Sequence, residues 1–313
     1  MTEATVQNGT CRILCLDGGG AKGFYTLGVL REVEALLSQP IYESFDLIFG
    51  TSTGSIIAAL LSLGHGVETI HEAYKMHVPM IMRAEGKRSK SEALRLAGMQ
   101  VFGDVRFDAV KTGLGIVSAK WQLETPMIFK SRKTQAHGRQ ATFVPGFGCT
   151  VAEAVEASCS AYPFFDRKIV TTSSGDNVEL MDGGYCANNP TLYAIADATA
   201  SLGFSQSNCR VLSIGCGQYP EPQSWIKRMK KRFWLVQLLQ KTLEINTSSM
   251  DQLCRVLFPN VPTIRVSDSF NKPEMATDMF EHDLGKLNLL RQQGAESFGR
   301  REHAIVKLLL DVE

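Results

Sequence analysis

The period of hydrophobic and polar positions changes in blocks along the chain. Cys11–Leu16 (CRILCL) is a short apolar run ending in Asp-Gly-Gly-Gly, which reads as a strand entering a turn. Leu27, Leu30, Val33 or Glu34, and Leu37 then recur at helical spacing, predicting an amphipathic helix to about Gln39 that Pro40 stops. Residues 46–49 (DLIF) predict a second strand. Gly50-Thr51-Ser52-Thr53-Gly54 follows, and 55–63 reads as a buried helix. This βαβα order is the signature of a parallel sheet with covering helices.

The pattern is less regular from 79 to 139. It predicts a polar loop over 83–92 and strands near 127–129 and 142–144. Residues 151–159 look helical. The runs 169–172 and 178–180 flank Ser174-Gly175-Asp176-Asn177, as in a hairpin. A helix is expected at or after Pro190, a buried strand over 211–214, and mostly helix from Gln223 onward. No repeat, low-complexity tract or Pro/Ser-rich linker interrupts the chain, so one domain is expected over 1–313.

Composition narrows the function classes. With 33 Lys+Arg against 32 Asp+Glu, the formal charge of +1 excludes a disordered or nucleic-acid-coating protein, and no DNA or RNA polymer is expected as partner. No apolar run approaches the ~18 residues of a membrane span, and the N-terminus shows no signal-peptide pattern. The eight cysteines form no C-x-x-C pair and read as buried small hydrophobes of a reduced, cytoplasmic protein. No metal and no cofactor is expected, because no Cys or His pair has ligand spacing; His71 and His77 lie six apart, not four.

Three motifs carry chemistry. Gly50-x-Ser52-x-Gly54, between a predicted strand and a predicted helix, fits a nucleophile elbow, in which small residues two positions away relieve the crowding of a sharp turn. Asp17-Gly18-Gly19-Gly20-Ala21-Lys22-Gly23 also joins strand to helix. Gly18, Gly20 and Gly23 match a dinucleotide phosphate loop, and successive glycine N–H groups at a helix start equally suit an oxyanion hole. The dinucleotide reading needs an acidic residue ending the next strand; that strand ends in Ser52 instead, so the oxyanion reading is preferred. Lys22 adds positive charge beside such a hole or is a solvated first-turn side chain. Asp182-Gly183-Gly184, following an apolar strand and leading to Asn188-Asn189-Pro190, is by itself an ordinary turn signal.

In this order, the three motifs resemble the patatin-like phospholipase family. So do 157–165 (ASCSAYPFF) and 211–217 (VLSIGCG), and the resemblance spans about 11–217. It implies an α/β, three-layer fold with a mostly parallel central sheet flanked by helices, a motif-bearing core over 11–217, and a mostly helical C-terminal extension over 218–313. It also implies a Ser52–Asp182 dyad, an oxyanion hole from Gly18, Gly19 and Gly20, and supporting roles for Asp17, Lys22, Gly23, Gly50, Gly54, Gly183 and Gly184. Cys159 and Tyr162 stand where the family often has smaller residues, which bears on pocket shape.

A dyad is chemically self-consistent. A serine hydroxyl needs a base to accept its proton, and neither His282 nor His303, the histidines after Asp182, lies in a motif. All six histidines are therefore read as structural or surface residues, with Asp182 as the direct base in a partly desolvated site.

The expected activity is a phospholipid acyl hydrolase acting through an acyl-enzyme at the inner face of the membrane. Two alternatives are an inactive patatin-fold binding or storage protein and a dinucleotide-binding oxidoreductase. In 225–240 (WIKRMKKRFWLVQLLQ), Lys227, Arg228, Lys230, Lys231 and Arg232 interleave with apolar residues at helical spacing, which suits anionic headgroups or a solvated face. The chain also resembles the bacterial subgroup of anti-phage effectors switched by cyclic oligonucleotides. That implies a cyclic dinucleotide activator, held by basic residues in 83–95, 130–139 or 227–232, and a homo-oligomer.

Overall fold

The computed structural model describes residues 9–137, 141–221 and 233–310. The basic run Lys227, Arg228, Lys230, Lys231 and Arg232 lies outside the described residues, as does Arg139.

A sheet of eight strands forms the middle layer. The strands are β1 (Cys11–Leu16), β2 (Leu47–Thr51), β3 (Gly113–Lys120), β4 (Thr125–Lys130), β5 (Lys168–Thr171), β6 (Asn177–Asp182), β7 (Cys209–Ile214) and β8 (Thr263–Val266). Their order is β5-β6-β3-β2-β1-β7-β8, with β4 also on β3. From β3 to β8 the pairing is parallel, whereas β4, β6 and β5 join antiparallel. The α/β architecture expected from the sequence is present, antiparallel at one edge.

Side-chain alternation along the central strands separates two cores. Leu14 and Leu16 of β1 and Ile48 of β2 face one side. There they meet α1 (Gly23–Leu36), α2 (Ile41–Ser44), α3 (Thr53–Leu63), α4 (Val67–Arg83), α5 (Lys87–Phe102) and α6 (Val151–Ser158). Ile13, Cys15, Leu47 and Phe49 face the other side, toward α8 (Thr191–Ala196), which follows the short α7 (Gly184–Ala187). The C-terminal part contains α9 (Phe233–Leu257), α10 (Leu284–Gly299) and α11 (Glu302–Leu310). It docks through glycines: a Cβ on Gly28 of α1 would lie 1.9 Å from the Arg291 carbonyl oxygen, and one on Gly294 of α10 would lie 2.0 Å from that of Tyr25. Only glycine lets α1 and α10 approach this closely.

Two local expectations are corrected. Residues 83–92 are not a loop: they end α4 and begin α5, whose exposed face carries the charge while Leu94, Ala97 and Phe102 are buried. Residues 142–144 form no strand and run into a 3-10 turn over Pro145–Gly148. The C-terminal part is helical as expected, with the short β8 set between its helices.

The ends of β1 and β8 are tied by a buried ion pair. The Arg265 guanidinium straddles Asp17, with Nη1 2.8 Å from Oδ1 and Nη2 on Oδ2, and Nη1 also donates to Ser213 Oγ at 2.8 Å. Removing one partner of such a pair strands a buried charge. Arg265→Met is expected to cost about 3 kcal/mol in urea unfolding, and the double variant Asp17→Asn/Arg265→Met to recover much of it.

Candidate active site

Ser52 sits between the end of β2 and the start of α3 with φ 50° and ψ −125°, a conformation L-residues rarely adopt. Its surroundings explain the flanking glycines. A Cβ on Gly50 would lie 2.2 Å from the Gly54 carbonyl oxygen, and one on Gly54 would lie 2.3 Å from that of Leu16. The turn is held from outside as well. The Ser52 N–H donates to Ser158 Oγ at 2.9 Å, and that hydroxyl donates to the Val117 carbonyl at 2.5 Å. Thr51 Oγ1 donates to the Ala187 carbonyl at 2.8 Å.

Strand register brings Asp182 to this turn. Thr51, the last residue of β2, pairs with Val117, and Asp182, the last of β6, pairs with the next residue, Ser118. Because β4 occupies the other edge of β3, β2 and β6 end head to head. Ser52 Oγ donates to Asp182 Oδ2 at 2.7 Å, and the Gly184 N–H donates to Oδ1 at 2.7 Å. Gly183 is required because a Cβ there would lie 2.1 Å from the Val117 carbonyl oxygen.

Burial dominates the electrostatics of Asp182. The residue is 1% exposed, and desolvation pushes its pKa up to about 6 against the opposing hydrogen bonds from Gly184 and Ser52. No cation pairs with it among the described residues. A serine hydroxyl that already donates to a carboxylate of raised basicity is the arrangement general-base-assisted attack requires.

The glycine loop runs beside this pair, since a Cβ on Gly18 would lie 3.2 Å from Ser52 Cβ. The Gly18 N–H donates to the Asn188 carbonyl at 3.0 Å. Among the described residues no acceptor pairs with the N–H groups of Gly19 and Gly20, which precede the start of α1 at Gly23. Gly20 has φ +59°, and a Cβ on Gly23 would lie 2.5 Å from Thr53 Oγ1, so this loop packs onto the Ser52 turn. Lys22 is buried rather than solvated and reaches Glu244 of α9 at 3.5 Å. Asp17 is taken up by Arg265.

Among the described residues, the basic stretches hold both buried and exposed ion pairs. Lys130 is buried against Asp197 at 2.5 Å, Lys87 pairs with Asp166, and Arg95 with Glu92. Arg132 and Lys133 are exposed. Seven of the eight cysteines are buried and all are unpaired. His71 and His77 are buried in α4, and His65, His137, His282 and His303 lie on the surface. Sequence reasoning gave no role to Ser158, Asn188 or Arg265. The first two lie in stretches it had singled out, 157–165 and Asn188-Asn189-Pro190; Arg265 gave no signal.

A family model described as patatin-like phospholipase matches residues 14–195. The Escherichia coli "cUMP-AMP-activated phospholipase" is 58% identical over 301 residues, covering 96% of this chain and 94% of the relative. The Pseudomonas aeruginosa "cGAMP-activated phospholipase" is 26% identical over 307 residues, covering 91% of this chain and 87% of the relative. Among solved structures, VipD from Legionella pneumophila superposes with TM-score 0.52 at 11% identity, over 96% of this chain and 68% of that one, a likeness of fold.

The raised Asp182 pKa makes a prediction about stability. A carboxyl raised from 3.8 to about 6 holds more protons folded than unfolded, so its burial costs nothing below about pH 4. The cost grows between about pH 4 and 6 and levels off above, at about 3 kcal/mol at neutral pH at 1.36 kcal/mol per unit. Asp182→Asn keeps an acceptor for Gly184 and carries no charge. Its thermal midpoint is expected to lie above that of the parent chain at pH 7.5, with the gap closing toward pH 4.

Proposed function

The chain belongs to the patatin-like phospholipase family, and from that premise we propose that it releases fatty acids from membrane phospholipids with Ser52 as nucleophile and Asp182 as base. The observation that carries this reading is the 2.7 Å hydrogen bond from Ser52 Oγ to Asp182 Oδ2 at a serine of positive φ. As Oγ attacks the ester carbonyl carbon, its proton moves to Asp182. The oxyanion is received by the glycine loop, with Gly19 and Gly20 supplying the free N–H donors and Gly18 committed to Asn188. Collapse expels the lysophospholipid alkoxide, which takes the proton back from Asp182, leaving an acyl-serine. Water deprotonated by Asp182 then attacks the acyl carbonyl, fatty acid leaves, and the proton returns to Ser52.

The reading extends to one catalytic domain over 1–313, switched on by a cyclic dinucleotide as an anti-phage effector and acting as a homo-oligomer. Its support is the 58% identity to a relative named for cyclic UMP-AMP activation, across nearly the whole of both chains. No helix of the described residues is long and apolar enough to cross a membrane. The effector reading assigns access to lipid to peripheral contact from the cytoplasmic side. α9, which follows the basic run at 227–232, exposes Trp234, Leu238 and Ile245 at helical spacing, as an interfacial helix does.

Fluorophosphonate labelling followed by peptide mapping is expected to modify Ser52, and an unlabelled Ser52, with and without cyclic nucleotides, would sink the hydrolase reading. Fatty-acid release from anionic liposomes is expected to need a cyclic dinucleotide from a panel and to disappear in Ser52→Ala and Asp182→Asn. Because the base must be ionised, kcat/KM is expected to rise with pH through about 6 and then level off.

A further inference from the structure

We propose that Asn188 is a positioning residue for this reaction: it registers the oxyanion donors against the Ser52–Asp182 pair, and α9 in turn sets its position. The inference rests on the acyl-hydrolase reading above. Gly18 and Asn188 are bonded in both directions, with the Gly18 N–H on the Asn188 carbonyl at 3.0 Å and Asn188 Nδ2 on the Gly18 carbonyl at 3.2 Å. Gly18 packs closely between Asn188 and Ser52, since a Cβ there would lie 2.3 Å from Asn188 Oδ1 and 3.2 Å from Ser52 Cβ. The free N–H groups of Gly19 and Gly20 follow directly, so whatever fixes the Gly18 peptide aims them.

The other side of Asn188 belongs to α9. Its N–H donates to Asn246 Oδ1 at 2.8 Å, and Nδ2 donates its second proton to Thr247 Oγ1 at 2.7 Å. Asn246 Nδ2 also donates to the Cys186 carbonyl at 3.1 Å, so α9 grips the segment between Asp182 and Asn188 at two points. Both protons of one planar amide are thus shared between Gly18 and α9, and a displacement at Thr247 turns the group that holds the glycine loop. Asn188 Oδ1, buried and without a hydrogen-bond partner among the described residues, faces the space beside Gly184, where a Cβ would lie 2.8 Å from it and 3.0 Å from Asp182 Oδ1. Loop, base and α9 therefore converge on this side chain.

Oxyanion donors act only within hydrogen-bond reach of the developing charge, and a displacement of about 1 Å costs on the order of 100-fold in rate. The test is steady-state hydrolysis of a p-nitrophenyl fatty-acid ester by the full chain with cyclic UMP-AMP, as a function of pH, for the parent, Asn188→Ala and Thr247→Val. Asn188→Ala is expected to lower kcat by about 10- to 100-fold with KM within about twofold, because binding of the ester is untouched. Its acid limb is expected to stay near 6, because the surroundings of Asp182 are retained. Thr247→Val is expected to fall between the two. An Asn188→Ala kcat within about threefold of the parent overturns the proposal. So does an acid limb that drops toward the ordinary carboxylate range along with the thermal midpoint, which marks Asn188 as merely structural. Should Asn188→Ala not fold, Thr247→Val decides, and a kcat at or above the parent's overturns the part given to α9. A parent chain with neither activity nor fluorophosphonate labelling of Ser52 under any cyclic dinucleotide of the panel instead removes the hydrolase reading itself.

Discussion

The turn at Ser52 is the constraint from which the rest of this end of the molecule follows. A non-glycine residue at φ 50° and ψ −125° costs on the order of 1–3 kcal/mol and persists only where its surroundings over-determine it. They do so here from four directions. Gly54 lies against the carbonyls of Leu16 and Asp17, so the end of β1 is locked to the start of α3. Ser158 at the end of α6 takes the Ser52 N–H, Thr51 holds Ala187, and Asp182 takes the hydroxyl. Each contact that holds the turn also fixes the loop it comes from, so the glycine loop and the Asp182 loop are placed by the same packing that strains the serine.

Burial then divides the work between aspartates. Asp17, Asp182 and Asp197 are all buried. Asp17 lies in the fork of Arg265, and Asp197 is met by Lys130 and His137. Burial pushes all three carboxyls up; Arg265 opposes it at Asp17 and Lys130 and His137 at Asp197, whereas at Asp182 only the Gly184 N–H and the Ser52 hydroxyl do so, with no cation among the described residues. Environment, rather than residue type, separates the two structural ion pairs from the candidate base.

The parts of this arrangement that were legible in the sequence are those a local rule demands. Gly50 and Gly54 bracket Ser52 because the turn has no room for Cβ atoms, and Gly183 has none beside Val117; such demands leave a spacing. β1, β2, α3 and β7 are buried and apolar, so their runs stood out. α5 was hidden because its first turn, Lys87 to Lys90, is almost wholly polar, and only Leu94, Ala97 and Phe102 turn inward. β8 was hidden because four residues that include Arg265 carry no clear period. Arg265 and Asp17 lie 248 positions apart, and the contacts of α9 with Asn188 span about 60; no periodicity reports such pairs.

The same division of contacts decides where a regulated site of this kind is open to control. The serine turn is held by close backbone packing at Gly50 and Gly54 together with the Ser158, Thr51 and Asp182 hydrogen bonds, and undoing it means disturbing β1, β2 and α3 together. α9 meets the site differently, through the Asn246 and Thr247 hydrogen bonds to Asn188, the Leu243 side chain against Gly184, and the Lys22–Glu244 pair at 3.5 Å. A net hydrogen bond contributes about 1 kcal/mol, and a long, partly exposed ion pair about that or less. Their sum is within the 1–3 kcal/mol that one ligand typically exerts on a second site. On the proposed mechanism, an aspartate raised to about 6 is still a modest base for a serine hydroxyl, so the chemistry would lean heavily on the oxyanion donors. On that mechanism, the lever within reach of α9 is the oxyanion loop rather than the serine turn.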